Sequence, residues 1–174
     1  MSDFRPFLRS ALVAKTTIGS AEVKLSAPPE GAVIHVLAPP GEQDLASFLS
    51  GLVKGGVRTV SPGQWFIVGD VPMTQENIKT LFETLEPRAT GVDQSAGRVR
   101  IRIDGKQAGR VLSKGTALDL SADAFPVGRS ATTLIGHIAA HITRIDTDSF
   151  ELMVLRSFAE CLWDDLTRMS AEYR

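Results

Sequence analysis

Arg98-Val99-Arg100-Ile101-Arg102-Ile103 decides the fold of this chain. Branched apolar residues alternate strictly with arginine, and successive side chains of a strand point to opposite faces. The stretch reads as a half-buried strand with Val99, Ile101 and Ile103 on the core side. Arg98, Arg100 and Arg102 form a basic stripe on the other face. That face reads as solvated, or as an anchor for an acidic partner surface, because guanidinium groups make bidentate contacts with carboxylates. Residues 106–113 follow as a short helix using Ala108, Val111 and Leu112, stopped by Gly115.

Downstream, residues 132–145 are rich in β-branched side chains. Ile135, Ile138, Ile142 and Ile145 also fit a helical stripe, but Gly136, the threonines and the turn that follows select a strand. Asp146-Thr147-Asp148-Ser149 is that turn, and residues 150–155 close a hairpin. Ser157 and Glu160 fit a capping box, and Phe158, Leu162, Leu166 and Met169 supply the core face of a last helix. Upstream, residues 22–25 and 33–37 read as strands separated by the Pro28-Pro29-Glu30-Gly31 turn. Leu45, Phe48, Leu49 and Leu52 recur at one-face helical spacing, and Gly55-Gly56 stops the helix. Residues 57–60 and 64–68 are strands around Ser61-Pro62-Gly63. Thr74 caps a helix carrying Ile78, Leu81, Phe82 and Leu85, which Pro87 ends.

A strand–helix–strand–strand–helix order thus occurs twice. Ile34-His35-Val36-Leu37 with its helix parallels Val99-Arg100-Ile101-Arg102 with its helix. Residues 64–68 and helix 75–85 parallel residues 149–153 and helix 158–170. The expected fold class is α+β with antiparallel strands: two ferredoxin-like halves, about 21–88 and 91–174, packed as one domain, 21–174. A mixed apolar and basic arm, residues 1–20, precedes it and carries Phe4, Phe7 and Leu8.

The 43% apolar content of 174 residues suffices for a sizeable core. A formal net charge of -1 argues against a nucleic-acid partner, which would call for a basic excess. No apolar run reaches the roughly 18–20 residues of a membrane span. The opening Met1-Ser2-Asp3-Phe4-Arg5-Pro6 lacks a continuous apolar signal core. Cys161 is the single cysteine, so no internal disulfide forms, and a reducing cytoplasmic setting is expected.

Candidate chemistry is sparse. His137 and His141 are four apart. On a helix that spacing can place two imidazoles on one metal; on a strand it leaves them about 13 Å apart on one wet or partner-facing side. No glutamate follows His137 as a zinc-protease helix requires. Cys161 sits beside Glu160, Asp164 and Asp165, a setting that disfavours a thiolate, and reads as packing. Trp65 and Trp163 read as core or interface anchors. Dinucleotide, phosphate-loop and nucleophile-elbow motifs are absent.

Several segments resemble the gamma subunit of heterotetrameric sarcosine oxidase. They are Pro62-Gly63-Gln64-Trp65-Phe66-Ile67-Val68-Gly69, Gly91-Val92-Asp93-Gln94-Ser95 with residues 98–105, and Phe125-Pro126-Val127-Gly128. From Gly91 onward the chain is also similar, more distantly, to the folate-binding fold of the glycine cleavage system T protein. Gly91-Val92-Asp93-Gln94-Ser95 looks like that family's opening, and Asp104-Gly105-Lys106-Gln107-Ala108 like its helix start. The segment holding that family's catalytic aspartate has no counterpart here. The first resemblance implies a non-catalytic gamma subunit, contributing assembly and stability beside alpha, beta and delta subunits. That complex demethylates sarcosine oxidatively to glycine, hydrogen peroxide and methylene-tetrahydrofolate. FAD, FMN, NAD, zinc and tetrahydrofolate are expected on the other subunits. No catalytic, cofactor or metal residue is expected in this chain, and Phe4, Phe7, Leu8, Arg98, Arg100 and Arg102 are the interface candidates. The alternative is a free-standing folate-binding or aminomethyltransferase-like module.

Overall fold

A computed structural model of the chain describes residues 9–39, 41–42, 45–52 and 56–173. The strands are β1 (Ile18–Gly19), β2 (Lys24–Ser26), β3 (Val33–Leu37), β4 (Gly56–Ser61), β5 (Gln64–Val68), β6 (Thr90–Asp93), β7 (Arg98–Asp104), β8 (Ser130–Ile135), β9 (Ile138–Asp146) and β10 (Ser149–Leu155). The helices are α1 (Leu45–Leu52), α2 (Gln75–Leu85), α3 (Ala108–Leu112) and α4 (Ala159–Met169).

Every strand pairing is antiparallel. One sheet runs β4-β5-β3-β6 and the other β1-β2-β7-β10-β9-β8. In the first, β3-α1-β4-β5-α2-β6 completes a ferredoxin-like unit, with β3 and β5 in the centre. The second repeats this arrangement with β7 and β10 central and β9 beside β10. The position matching β6 is filled from the other end of the chain, by β2 on the free side of β7. The expected double repeat is therefore present, and each half takes its fourth strand from a different place.

Helix formation follows the apolar spacing. Thr74 caps α2 by accepting the Asn77 N–H at 3.2 Å, as its position predicts. Ile34, Val36, Trp65 and Ile67 then pack with Leu45, Leu49, Ile78, Leu81 and Leu85. In the second half Val99, Ile101, Ile103, Phe150, Leu152 and Val154 pack with Val111, Leu112, Leu162, Trp163 and Leu166. Helices thus cover one face of each sheet. The opposite faces meet each other, where Val33, Phe66 and Val68 touch Met153.

The structure departs from several sequence expectations. Residues 132–145 are not one strand. Ile135 pairs with Ile138 across a two-residue turn, Gly136-His137, and Gly136 takes φ +59° there, a conformation that suits glycine in a tight hairpin. The last helix starts later than predicted. Arg156–Phe158 forms a 3-10 turn, and no side chain caps α4, so the Ser157–Glu160 box is absent. A 3-10 turn holds about three residues, which shifts the helical phase. The buried face is consequently Ala159, Leu162, Trp163 and Leu166, whereas Phe158 is 46% exposed. The same shift leaves Cys161 exposed instead of packed.

The N-terminal segment is integrated from residue 9 onward. Leu12 is buried in the second-half core, with Ala11 and Ile18 packed against it. Phe4, Phe7 and Leu8 lie outside the described residues.

Candidate functional site

The layer between the sheets is where this molecule concentrates its polar chemistry. Strict alternation in β7 sends Val99, Ile101 and Ile103 to the helix side and the arginines toward the opposing sheet. Arg100 is 5% exposed, which overturns the reading of a solvated stripe. Its Nη1 donates to Glu151 Oε2 at 3.2 Å. Its Nη2 donates to Asp70 Oδ1 at 2.8 Å, Pro29 O at 2.9 Å and Gly69 O at 3.1 Å. Glu151 is 2% exposed on β10 and also accepts from Arg58 Nε on β4 at 3.3 Å. A carboxylate from one half is thereby held by guanidinium groups from both. Arg58 can lie there because residue 56 is glycine: a Cβ at that position would stand 2.2 Å from Arg58 Nη1.

Arg98 is half-buried. Its Nε donates to Gln94 Oε1 at 2.9 Å, and its guanidinium carbon lies 5.2 Å from the centre of the Phe66 ring. Burial pulls its pKa below the usual arginine value. Phe66 is flanked by His35 at 4.8 Å and His141 at 5.4 Å between ring centres. His141 is 3% exposed, and its Nδ1 lies 3.1 Å from Thr132 Oγ1. Burial first, then the positive charges of Arg98 and Arg58, push its pKa down to about 4. Burial also lowers the pKa of His35; a hydrogen bond with Gln64 opposes that shift and the charge of Arg98 adds to it. His137, by contrast, sits exposed in the β8–β9 turn. The two predicted histidines therefore share neither a helix face nor a strand face. No group of three or more His, Cys, Asp or Glu among the described residues is placed to hold a metal ion.

Arg102 differs from its neighbours. It is half-buried, its Nε is buried, and it has no hydrogen-bond or ionic partner among the described residues. With Arg58, Arg100 and Glu151 it lines a cleft of about 620 Å³ between the halves. Leu52, Val71 and Met73 supply apolar lining, and Val71 is 75% exposed.

A second feature lies where the N-terminal segment meets the start of α4. Glu30 Oε1 accepts the Ala11 N–H at 2.7 Å, and its Oε2 accepts Arg156 Nη1 at 2.7 Å. Burial opposes ionisation of Glu30, but these hydrogen bonds outweigh it and hold its pKa below the usual carboxylate value. Arg156 also donates to the Arg9 carbonyl. Leu155 and Phe158, beside this clamp, are 48% and 46% exposed. The clamp was not legible in the sequence, because Glu30 and Arg156 are far apart and each is one charge among many. The pairing of Arg100 with Glu151 had a faint signal: a lone glutamate inside the apolar run Phe150 to Val154, opposite an arginine-bearing strand.

A family model for the sarcosine oxidase gamma subunit matches residues 44–172. The chain belongs to that family. Its fold is similar to that of a chain in the heterotetrameric sarcosine oxidase from Corynebacterium sp. U-96, solved in complex with pyrrole 2-carboxylate. That match has 21% identity and a TM-score of 0.78, and it covers 95% of each chain. The fold is also similar to glycine cleavage system aminomethyltransferase T from Bartonella henselae, at 18% identity and TM-score 0.61. This match covers 84% of the chain but 45% of the aminomethyltransferase. No curated protein sequence matches the chain. Both resemblances read from the sequence are thus present, and the T-protein likeness is one of fold. Among the described residues, no helix is long and apolar enough to cross a membrane.

Proposed function

We propose that this chain acts as the gamma subunit of a heterotetrameric sarcosine oxidase and contributes assembly and stability, not chemistry. In this reading alpha, beta and delta subunits are its partners and carry the flavins, NAD, zinc and tetrahydrofolate. The observation that carries it is the clamp of Glu30 and Arg156. It fixes residues 9–11 beside Leu155 and Phe158, two large apolar side chains left about half exposed on a well-packed molecule. Adjacent exposed apolar side chains that form a patch mark interaction sites, and aromatic residues such as Phe158 are enriched in the buried centres of interfaces. Phe4, Phe7 and Leu8 precede that point in the chain and extend the same apolar character. Family membership supports the partner assignment.

We place docking at this clamp and not at Arg98 and Arg100, which already have partners inside the chain. The test is co-expression of the four subunits with Phe4, Phe7 and Leu8 changed to serine, and separately with Leu155 and Phe158 changed to serine. Each set should reduce recovery of the chain with the larger subunits at least tenfold, while the isolated variants keep wild-type melting. Full co-purification of both sets would place docking elsewhere. Oxygen consumption by the isolated wild-type chain with sarcosine would overturn the non-catalytic reading.

A further inference from the structure

We propose that the cleft between the two halves binds a small organic anion, a carboxylate on an apolar body, through Arg102 and Arg58. Arg100 is committed to Glu151, Asp70, Pro29 and Gly69. Glu151 is committed to Arg100 and Arg58 and is sealed at 2% exposure, so it is not free to turn toward Arg102. Arg58 has a described contact only through Nε, and Arg102 has none among the described residues. A guanidinium is a fork of five N–H donors that cannot lose its charge, and a buried donor without an acceptor is unfavourable. Arg102 Nε is thus a buried donor without an acceptor among the described residues, and Arg58 lines the same cleft.

The charge balance agrees. Arg58, Arg100 and Arg102 face Glu151 and Asp70 around the cleft, three positive groups against two negative. Carboxylate is the group whose planar pair of oxygens matches a guanidinium fork. The apolar lining of Leu52, Val71 and Met73 offers an apolar body somewhere to lie. A volume of about 620 Å³ falls within the roughly 300–1,000 Å³ of small-molecule sites. This inference is independent of the docking surface, which lies at the start of α4.

The experiment is calorimetric titration of the full-length chain with 2-naphthoate, its neutral analogue 2-naphthamide, and inorganic phosphate. Wild type is expected to bind 2-naphthoate with one-to-one stoichiometry. Binding should be at least tenfold weaker for 2-naphthamide, weaker for phosphate, which lacks the apolar body, and weaker as salt rises. Arg102→Gln should weaken 2-naphthoate at least tenfold without changing the melting temperature, since Arg102 holds no described partner. Gly56→Ala, which displaces Arg58, is a second variant expected to weaken it. Equal affinity for acid and amide, no binding at millimolar 2-naphthoate, or unchanged affinity in Arg102→Gln would overturn the proposal. The assembled oxidase supplies the last arm: retained, Arg102-dependent binding supports a free small molecule. Loss of binding on assembly would instead show that a partner subunit covers the cleft and would overturn a free small-molecule ligand.

Discussion

The two faces of β7 hold the molecule together by different physics. Val99, Ile101 and Ile103 enter an apolar core with Phe150, Leu152 and Leu162, where contacts are non-directional. Arg98, Arg100 and Arg102 enter the seam between the sheets, where each has a different fate. Arg98 lies against an aromatic ring, Arg100 is saturated by acceptors from other segments, and Arg102 opens into a cleft. One alternating pattern therefore produces a tolerant face and an exacting one. On the apolar face volume matters most; on the ionic face the partner matters most.

Breaking the exacting face should have the largest effect. Arg100→Met leaves Glu151 buried without one of its two counter-charges, and breaking a buried pair from one side costs about 3–5 kcal/mol. Urea unfolding of the isolated chain measures this, and a cost under about 1 kcal/mol would mean the seam is wet.

On the tolerant side, Leu162→Ala removes a fully buried side chain and should cost about 2–5 kcal/mol. Phe158→Ala should cost under about 0.5 kcal/mol, because Phe158 is a surface residue before α4 begins. Reversed values would show that the helical phase set by the 3-10 turn is wrong.

The third effect depends on pH. His141 stays neutral in the folded chain down to about pH 4, whereas in the unfolded chain it gains a proton near 6.5. The unfolded state therefore binds more protons in this window, and stability falls as pH drops from 6.5 to 4. The loss is roughly 3 kcal/mol at most. His141→Gln should flatten that slope in unfolding curves collected across the window.

The smallest effect separates Arg102 from Arg100. Arg102→Gln should change stability by under about 0.5 kcal/mol, as expected for a side chain with no partner among the described residues. A cost approaching that of Arg100→Met would show that the two arginines share one network.

Much of the fold was legible because its signals are local. The alternation of β7, the one-face spacing of α1 and α2, and the repeated element order need only neighbouring residues to be read. Gly136 was visible as a breaker, but the hairpin it closes depends on Ile135 meeting Ile138, which a continuous β-branched run conceals. The phase of α4 was missed because a 3-10 turn displaces Phe158 from a stripe that fits on paper. The site was harder. Alternation says that arginines share a face but not what covers it, and the cover comes from residues 29, 58, 69, 70 and 151, spread through the chain. Likewise β2 completes the second sheet from a segment with little pattern of its own.

The central claim is that the arginine face of β7 is an internal seam between the halves. A double-mutant cycle of Arg100→Met and Glu151→Leu, read by urea unfolding of the isolated chain, tests it most directly. Arg58, 19% exposed beside the cleft, can turn to water when Glu151 is replaced. The account predicts that each single substitution destabilises by about 3–5 kcal/mol while the pair together costs under about 2, since a packed apolar pair substitutes well for a buried ionic one. Costs that simply add would contradict it, because they would mean that the two charges do not hold each other across the strands.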